Sequence, residues 1–336
     1  MRLLPFIFLL SIQTLIGQDT FSIIAADPET GEIGAAGATC VDGIAALGGI
    51  QLLNKIIPGR GGVNAQASIC INPHINLDNA MDQLDQGASP QEIIDWLIEN
   101  DECFANGFNH TFRQYGILDF SPDGDIRTAA YTGVNTTDFK GDRVGDTYSI
   151  QGNILLGAEV LDGMEDAFNN TEGTLPERLM AAMQGANIPG ADSRCLDRGT
   201  SSTSAFMRVL RPNDDISDPY LELNVLEVPF GVEPIDSLQT LFDEWTLVND
   251  VTDIEEEYGL RIYPNPSAGK YAIGLKPGVD LQQLSIINAA GKVIWKVERV
   301  AGVEQGIDIS GEPAGLYWLT IQLASGQQLT RKLVKF

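Results

Sequence analysis

Histidine is nearly missing from this sequence: 336 residues contain only His74 and His110. Both stand in polar, loop-like surroundings. That argues against a Ser-His-Asp triad, an HExxH zinc site and any histidine-rich metal centre, and each ring is expected to be solvated or locally hydrogen-bonded. Basic side chains are also scarce, 21 Lys and Arg against 46 Asp and Glu, for a formal charge of -25. The shortage is uneven. From Gly259 onward nine basic residues stand against five acidic ones, so residues 1–258 hold the other twelve basic and 41 acidic groups. Such a body repels nucleic acid and anionic lipid surfaces, and no nucleic-acid partner is expected. Cysteine is limited to Cys40, Cys70, Cys103 and Cys195, with no CxxC spacing to suggest a zinc knuckle. Long apolar runs are missing too. The one near the start, Leu3 to Ile12, is well short of the roughly 20 residues that span a bilayer, so no transmembrane anchor is expected. No cofactor motif is present: Gly59-Arg60-Gly61-Gly62 lacks the GK[ST] ending of a phosphate loop. The acidic groups Asp119, Asp123, Asp125 and Asp214, Asp215, Asp218 do not follow the EF-hand pattern, so no metal is expected.

What is present is enough apolar material, 43% of residues, for one sizeable core and a small second module. Residues 1–18 read as a signal peptide: Arg2, the apolar stretch, then Gly17 as a small residue at a cleavage boundary. An exported protein matures where disulfides persist, so two bridges are expected. Three connectivities are open, and the pairing favoured is Cys40 with Cys195 and Cys70 with Cys103.

Periodicity predicts a β-hairpin from Thr20 to Thr39 around Asp27-Pro28-Glu29-Thr30-Gly31, and a third strand over Gly62 to Ile71. Two helices follow, the second opened by Ser89-Pro90-Gln91-Glu92, a capping box. A second hairpin turns at Ser121-Pro122-Asp123-Gly124, and Tyr148 to Leu155 is a further strand. Val160, Leu161, Met164 and Phe168 share one helical stripe, and Thr174-Leu175-Pro176-Glu177 opens another helix. Strands at Ser202 to Leu210 and Tyr220 to Val228 precede a last helix carrying Ile235, Leu238, Leu241, Phe242 and Trp245. This order predicts an α+β body, sheets packed together with helices on the outer faces. Residues 250–258 read as an acidic linker, and residues 259–336 as a small β-sandwich of short alternating strands.

The tail carries Ile262-Tyr263-Pro264-Asn265-Pro266, Gly315-Leu316-Tyr317 and Lys332-Leu333-Val334-Lys335 in that order. With these residues it resembles the C-terminal sorting domain of the type IX secretion system. The resemblance implies that residues 259–336 engage that machinery and deliver the protein to the cell surface or medium. The body, residues 19–249, carries Thr20 to Ala25, Asn64-Ala65-Gln66-Ala67, Arg113 to Ile117, Gln151-Gly152-Asn153-Ile154-Leu155, Asp192-Ser193-Arg194 and Ser201 to Phe206. In these blocks it resembles the domain of unknown function 1028 family, which implies an N-terminal nucleophile (Ntn) hydrolase-like fold, a four-layer αββα sandwich.

An Ntn hydrolase needs no histidine, because the free α-amine of its first residue serves as base for that residue's own hydroxyl or thiol. Thr20 is the matching position and the candidate catalytic residue, acting on an amide bond of a peptide or small molecule. The mechanism requires either cleavage after Asp19 or later trimming, by the protein itself or otherwise, since a cut after Gly17 leaves Gln18 first and the Thr20 nitrogen locked in an amide. Cys40 stands where relatives carry a basic residue, which removes a cation that would help ionise the nucleophile. Gln66, Gln151 and Asn153 are amides inside apolar strand runs, and Asp192 and Arg194 form a charged pair by sequence. Substrate binding and a structural hydrogen-bond network explain the three amides equally well, and an ion pair at the edge of a substrate site and a loop anchor beside a disulfide explain the charged pair equally well. The alternative to catalysis is a secreted binding or scaffold protein on the same fold, whose mature chain would begin before Thr20.

Overall fold

The computed structural model describes residues 20–71, 73–103, 107–276, 281–288, 291–300, 304–323 and 328–336, so the signal-peptide reading of residues 1–18 lies outside it. The chain divides into two units, Met1–Phe242 and Asp243–Phe336.

Every side chain of β1 (Thr20–Ala26) is buried, and the same holds for β2 (Ile33–Thr39), β4 (Gly61–Gln66) and β8 (Tyr148–Gly152). A strand buried on both faces must lie inside a stack of layers. Together with β7 (Gly141–Val144), β9 (Ser204–Leu210) and β10 (Leu221–Val225), the strands β1, β2 and β8 form an antiparallel sheet in the order β10-β9-β2-β1-β8-β7. The second sheet, also antiparallel, runs β3-β4-β5-β6, with β3 (Asn54–Ile57), β5 (Gln114–Phe120) and β6 (Ile126–Thr132). Strand β1 contacts β4 and β5 across the gap, and β8 contacts β5. Helices α1 (Ile75–Asp85) and α2 (Pro90–Glu99) pack on the second sheet, and α3 (Ala158–Asn170) and α4 (Leu175–Gly185) on the first.

Helix starts follow their sequence signals. The Ser89 amide donates to Glu92 Oε2 at 2.8 Å, and the Glu92 amide donates back to Ser89 Oγ. Thr174 donates from its amide to Glu177 Oε2 at 2.7 Å. Helices α3 and α4 meet at two glycines: a Cβ on Gly163 would lie 2.4 Å from the Gly185 carbonyl oxygen, and one on Gly185 2.1 Å from that of Gly163. Both disulfides form in the pairing favoured from sequence, Cys40 with Cys195 and Cys70 with Cys103.

The structure departs from the sequence reading at several ends. The third strand stops at Gln66 because Ala67 and Ser68 adopt φ of 61° and 51°, which breaks the ladder. The strand from Tyr148 stops at Gly152, ahead of Ile154 at φ 52°. Strands β3 and β7, four residues each, are too short to show a period of two. The acidic stretch expected as a linker is helical, since α5 (Pro234–Tyr258) runs through it. No Gly or Pro interrupts that stretch before Gly259, which takes φ 60°.

In the second unit, β11 (Arg261–Tyr263), β12 (Lys270–Gly274) and β15 (Glu304–Asp308) form one sheet. The other runs β14-β13-β16-β17, with β13 (Leu281–Asn288), β14 (Val293–Val300), β16 (Gly315–Leu323) and β17 (Gln328–Lys335). Tyr271, Ile273 and Ile307 of the first share a core with Leu284, Ile286, Leu319 and Leu333 of the second. The sorting motifs are joined directly: Asn265 Nδ2 donates to the Lys332 carbonyl at 2.8 Å, and the Val334 amide donates to Asn265 Oδ1 at 2.9 Å.

Candidate functional site: an amide seam between two sheets

Side chains alternate along each strand, so β1 sends Ile24 and Ala26 toward the second sheet along with Thr20 and Ser22. The space between the sheets therefore has two ends. One is apolar, where Ile24, Ala26, Ile33 and Ala35 meet Ile56, Leu118, Phe206 and Leu210. The other is lined by hydroxyls and carboxamides from β1, β4, β5 and β8. Antiparallel pairing brings these strand termini together, with Thr20 opposite Thr39, Phe21 opposite Gly152 and Gln66 opposite Gln114.

The amides are knitted to one another. Gln66 Nε2 donates to the Thr20 carbonyl at 3.0 Å and to Gln114 Oε1 at 2.8 Å, while its Oε1 accepts from Ser22 Oγ at 2.7 Å. Gln151 Nε2 donates to the Ser22 carbonyl and hydroxyl, and Gln151 Oε1 accepts from Ser149 Oγ at 3.2 Å. Gln114 Nε2 donates to the carbonyls of Gly141 and Gly152 at 3.0 and 2.9 Å. Asn64 Nδ2 reaches Ser22 Oγ at 3.1 Å. Gly116 is required for this packing, because a Cβ there would lie 1.9 Å from Gln151 Oε1.

Three atoms along this network have no partner, one of them Oδ1 of Asn54, whose Nδ2 donates to Asn64 Oδ1 at 2.8 Å. Thr20 is 1% exposed and its Oγ1 has no hydrogen-bond partner. Asn153, fully buried, donates from Nδ2 to Gln114 Oε1 at 3.0 Å, but its Oδ1 has no partner. The two residues are neighbours, since the Asn153 amide donates to the Thr20 carbonyl at 3.1 Å. Ser22 shows the contrast: two residues along, its hydroxyl donates to one amide and accepts from two others. A buried polar atom without a partner costs about 1 to 3 kcal/mol, so the Thr20 hydroxyl and the Asn153 carboxamide oxygen, on adjacent strand ends, each call for an explanation. The residues at positive φ, Ala67, Ser68 and Ile154, directly follow Gln66 and Asn153. Strained backbone of this kind gathers at functional sites.

Asp192 and Arg194 lie at the same end of the first sheet. Asp192 is fully buried; its Oδ2 accepts from the Cys40 amide at 2.8 Å, next to Thr39, and Arg194 grips both of its oxygens. Gln66, Gln151 and Asn153 are brought together, whereas Asp192 and Arg194 fasten the segment that carries Cys195 to the end of β2. Sequence reasoning missed Ser22, Asn64 and Gln114 as members of the cluster. The period-two spacing of Asn64 with Gln66, and of Thr20 with Ser22, was the available signal.

His74 packs away from the seam. His74 precedes α1 and donates from Nε2 to the Ala65 carbonyl at 3.2 Å, on the helix side of β4. Burial pushes its pKa down to about 4, so the ring is neutral at pH 7. Asp119 is satisfied by Arg60 and Arg127. Among the described residues no group of His, Cys, Asp and Glu could hold a metal ion.

Two helix-backed antiparallel sheets with an amide-lined seam, followed by a sorting module, define an α+β protein built for export. The chain belongs to the family of unknown function (DUF1028), which it matches over residues 20–237, and residues 261–335 match the secretion system C-terminal sorting domain. The protein is accordingly secreted or held at the cell surface, its sorting tail engaging the secretion machinery. Among the described residues no helix is long and apolar enough to cross a membrane. A crystal structure of a DUF1028 protein from Silicibacter pomeroyi is similar, with 26% identity, 68% of this chain and 89% of that chain covered, and a TM-score of 0.51. The BSP domain of a biofilm-associated protein aligns at 10% identity over 97% of this chain and 53% of that one, with a TM-score of only 0.21. No curated protein matches the chain.

Proposed function

We propose that this protein is a secreted amidohydrolase of the Ntn type, with Thr20 as nucleophile and Asn153 as the group that faces the substrate. The layering read here is αββα, α1 and α2 outside the second sheet and α3 and α4 outside the first, and the tail is read as a β-sandwich. The observation that carries the proposal is the pair of unpartnered atoms, Thr20 Oγ1 and Asn153 Oδ1, on adjacent strand ends of a seam where the amides of Gln66, Gln114 and Gln151 are bonded.

Removal of the chain ahead of Thr20 converts its amide nitrogen into an amine of pKa about 7.7 to 8.0. That amine takes the hydroxyl proton as Oγ1 attacks the amide carbon of the substrate. Negative charge builds on the carbonyl oxygen, to which the second Nδ2 hydrogen of Asn153 donates, while the unpartnered Asn153 Oδ1 accepts an N–H of the substrate. Collapse breaks the C–N bond, and the α-ammonium returns its proton to the leaving amine. Water, deprotonated by the same α-amine, then splits the Thr20 ester and restores the hydroxyl. Gln66 and Gln151 hold the strand ends in register, and Asp192 with Arg194 fixes the rim beside Cys40.

The test is mass spectrometry of the exported protein's N-terminus, paired with hydrolysis assays on N-acyl amino acids and short peptides. A mature chain beginning at Thr20, with hydrolysis lost in Thr20→Ala, supports the proposal. A mature chain that keeps Gln18 or Asp19 sinks it and leaves the binding or scaffold reading.

A further inference from the structure

The four cysteines are not equally sheltered. Cys195 and Cys103 are 0% and 1% exposed and Cys40 is 7% exposed, whereas Cys70 is half-buried. Disulfide exchange begins when a thiolate reaches a sulfur, so access decides which bridge opens first. Cys40–Cys195 is shielded at both halves, and Cys70–Cys103 has one half open to solvent.

What the accessible bridge holds together is the shell of a buried cation. The Arg113 side chain is fully enclosed and pairs with Asp101 at 3.1 Å. Its Nη1 and Nη2 groups donate to three carbonyls, those of Ser68, Cys103 and Phe108. Cys103 is one half of the bridge, and Ser68 lies two residues before the other. Asp101 is tied to the same place, since its Oδ1 accepts from the Cys103 amide at 2.9 Å. A guanidinium stays charged, so it is tolerated inside the protein only while such acceptors surround it. Ala67 and Ser68 stand at positive φ, a conformation that persists only where neighbouring contacts hold it. The chain on either side runs straight into the seam. Gln66 precedes Ala67, Gln114 follows Arg113, and these two register partners are joined through their side chains at 2.8 Å.

We propose that Cys70–Cys103 is a reversible redox latch on the polar end of the seam, opened by low-molecular-weight thiols while Cys40–Cys195 stays closed. A thiolate attacks Sγ of Cys70 to form a mixed disulfide, and Cys103 departs as a thiolate that takes up a proton. A second thiol attacks the reductant's sulfur in that mixed disulfide, which frees Cys70 as a thiol and leaves the two reductant molecules joined as a disulfide. The protein gains two electrons and two protons, and the reverse sequence with the oxidised reductant closes the latch. Closure spans 33 positions rather than 155, which costs less chain entropy. In the open form the Ser68 and Cys103 carbonyls part, Arg113 loses its enclosure, and the end of the second sheet at Gln66 and Gln114 frays. The first sheet, fastened at the end of β2 by Cys40–Cys195, keeps its order.

The test places the full exported chain in mixtures of reduced and oxidised glutathione of increasing reducing strength, without denaturant. Free thiols are trapped by alkylation and mapped by mass spectrometry, and backbone hydrogen exchange is followed in the same samples. Cys70 and Cys103 should be trapped together, at least about tenfold faster than Cys40 and Cys195. Exchange should rise at least about tenfold around Gln66 and Gln114 and stay unchanged in β1, β2 and β9. A Cys70→Ser, Cys103→Ser double variant should show that exchange pattern without any reductant. Oxidised glutathione should restore protection in the reduced parent and have no effect on the variant. Trapping of all four cysteines at one rate, of Cys40 and Cys195 first, or of none would overturn the proposal. So would an opened bridge with exchange at Gln66 and Gln114 unchanged. No readout involves turnover, so the result stands whether or not Thr20 acts as a nucleophile.

Discussion

A hydroxyl is informative when it is buried and does nothing. Thr20 and Ser22 lie on the same face of the same strand, yet only Ser22 is bonded on every side. With a substrate established, Asn153→Ala should lower kcat by roughly 10²- to 10³-fold with little change in KM, the pattern of a lost oxyanion donor, checked by steady-state kinetics. Thr20 and Asn153 stand out in the sequence through family resemblance and through an amide in an apolar run. Gln114 does not, because its role depends on which sheet lies across from it, and one strand's residues do not encode that. His74 supplies a prediction on acid stability. Its folded pKa is depressed to about 4 from 6.5, so as pH falls the unfolded chain takes up the proton first. Stability is full above pH 6.5, declines through the window down to about 4, and the loss is complete below it. For this half-buried ring the loss is expected to be about 1 to 3 kcal/mol, and His74→Gln should flatten that step in urea unfolding measured across the window.

At the scale of elements, local signals were the legible ones. The hairpins, the helix stripes and the Ser89 and Thr174 starts all rest on residues a few positions apart, and they appear where the sequence puts them. The short edge strands β3 and β7 and the early stop of β4 were not legible, since positive φ at Ala67 and Ser68 carries no glycine to announce it. Close approaches between elements give sharp tests. Gly116→Ala would push a methyl onto Gln151 and break its bonds to Ser22, with an expected loss of about 1 to 3 kcal/mol in denaturant unfolding. Gly163→Ala forces α3 from α4 at a backbone-to-backbone contact and should cost a similar amount, about 1 to 3 kcal/mol, while leaving the Thr20 seam untouched.

The whole molecule is organised around export. Its disulfides close long stretches, Cys40 to Cys195 across 155 residues and Cys70 to Cys103 across 33. Loop-closure entropy gives upper estimates of about 5 and 4 kcal/mol for the two, so unfolding in the presence of a thiol reductant should begin at markedly lower denaturant. A chain ending at Tyr258 keeps every strand of the first unit but loses the sorting module. It should therefore remain cell-associated, as read by fractionation and immunoblotting against the full chain.

Pairing carries Thr20, Gln66, Gln114 and Gly152 to one rim, which leaves the hairpin bends at Asp27–Glu32 and Ser121–Asp125 on the other. An affinity tag spliced between Pro122 and Asp123 would thus sit far from the Thr20 seam and would survive trimming at either terminus. Such an internal handle would recover the matured species from culture fluid, whatever proteases have done to its two ends.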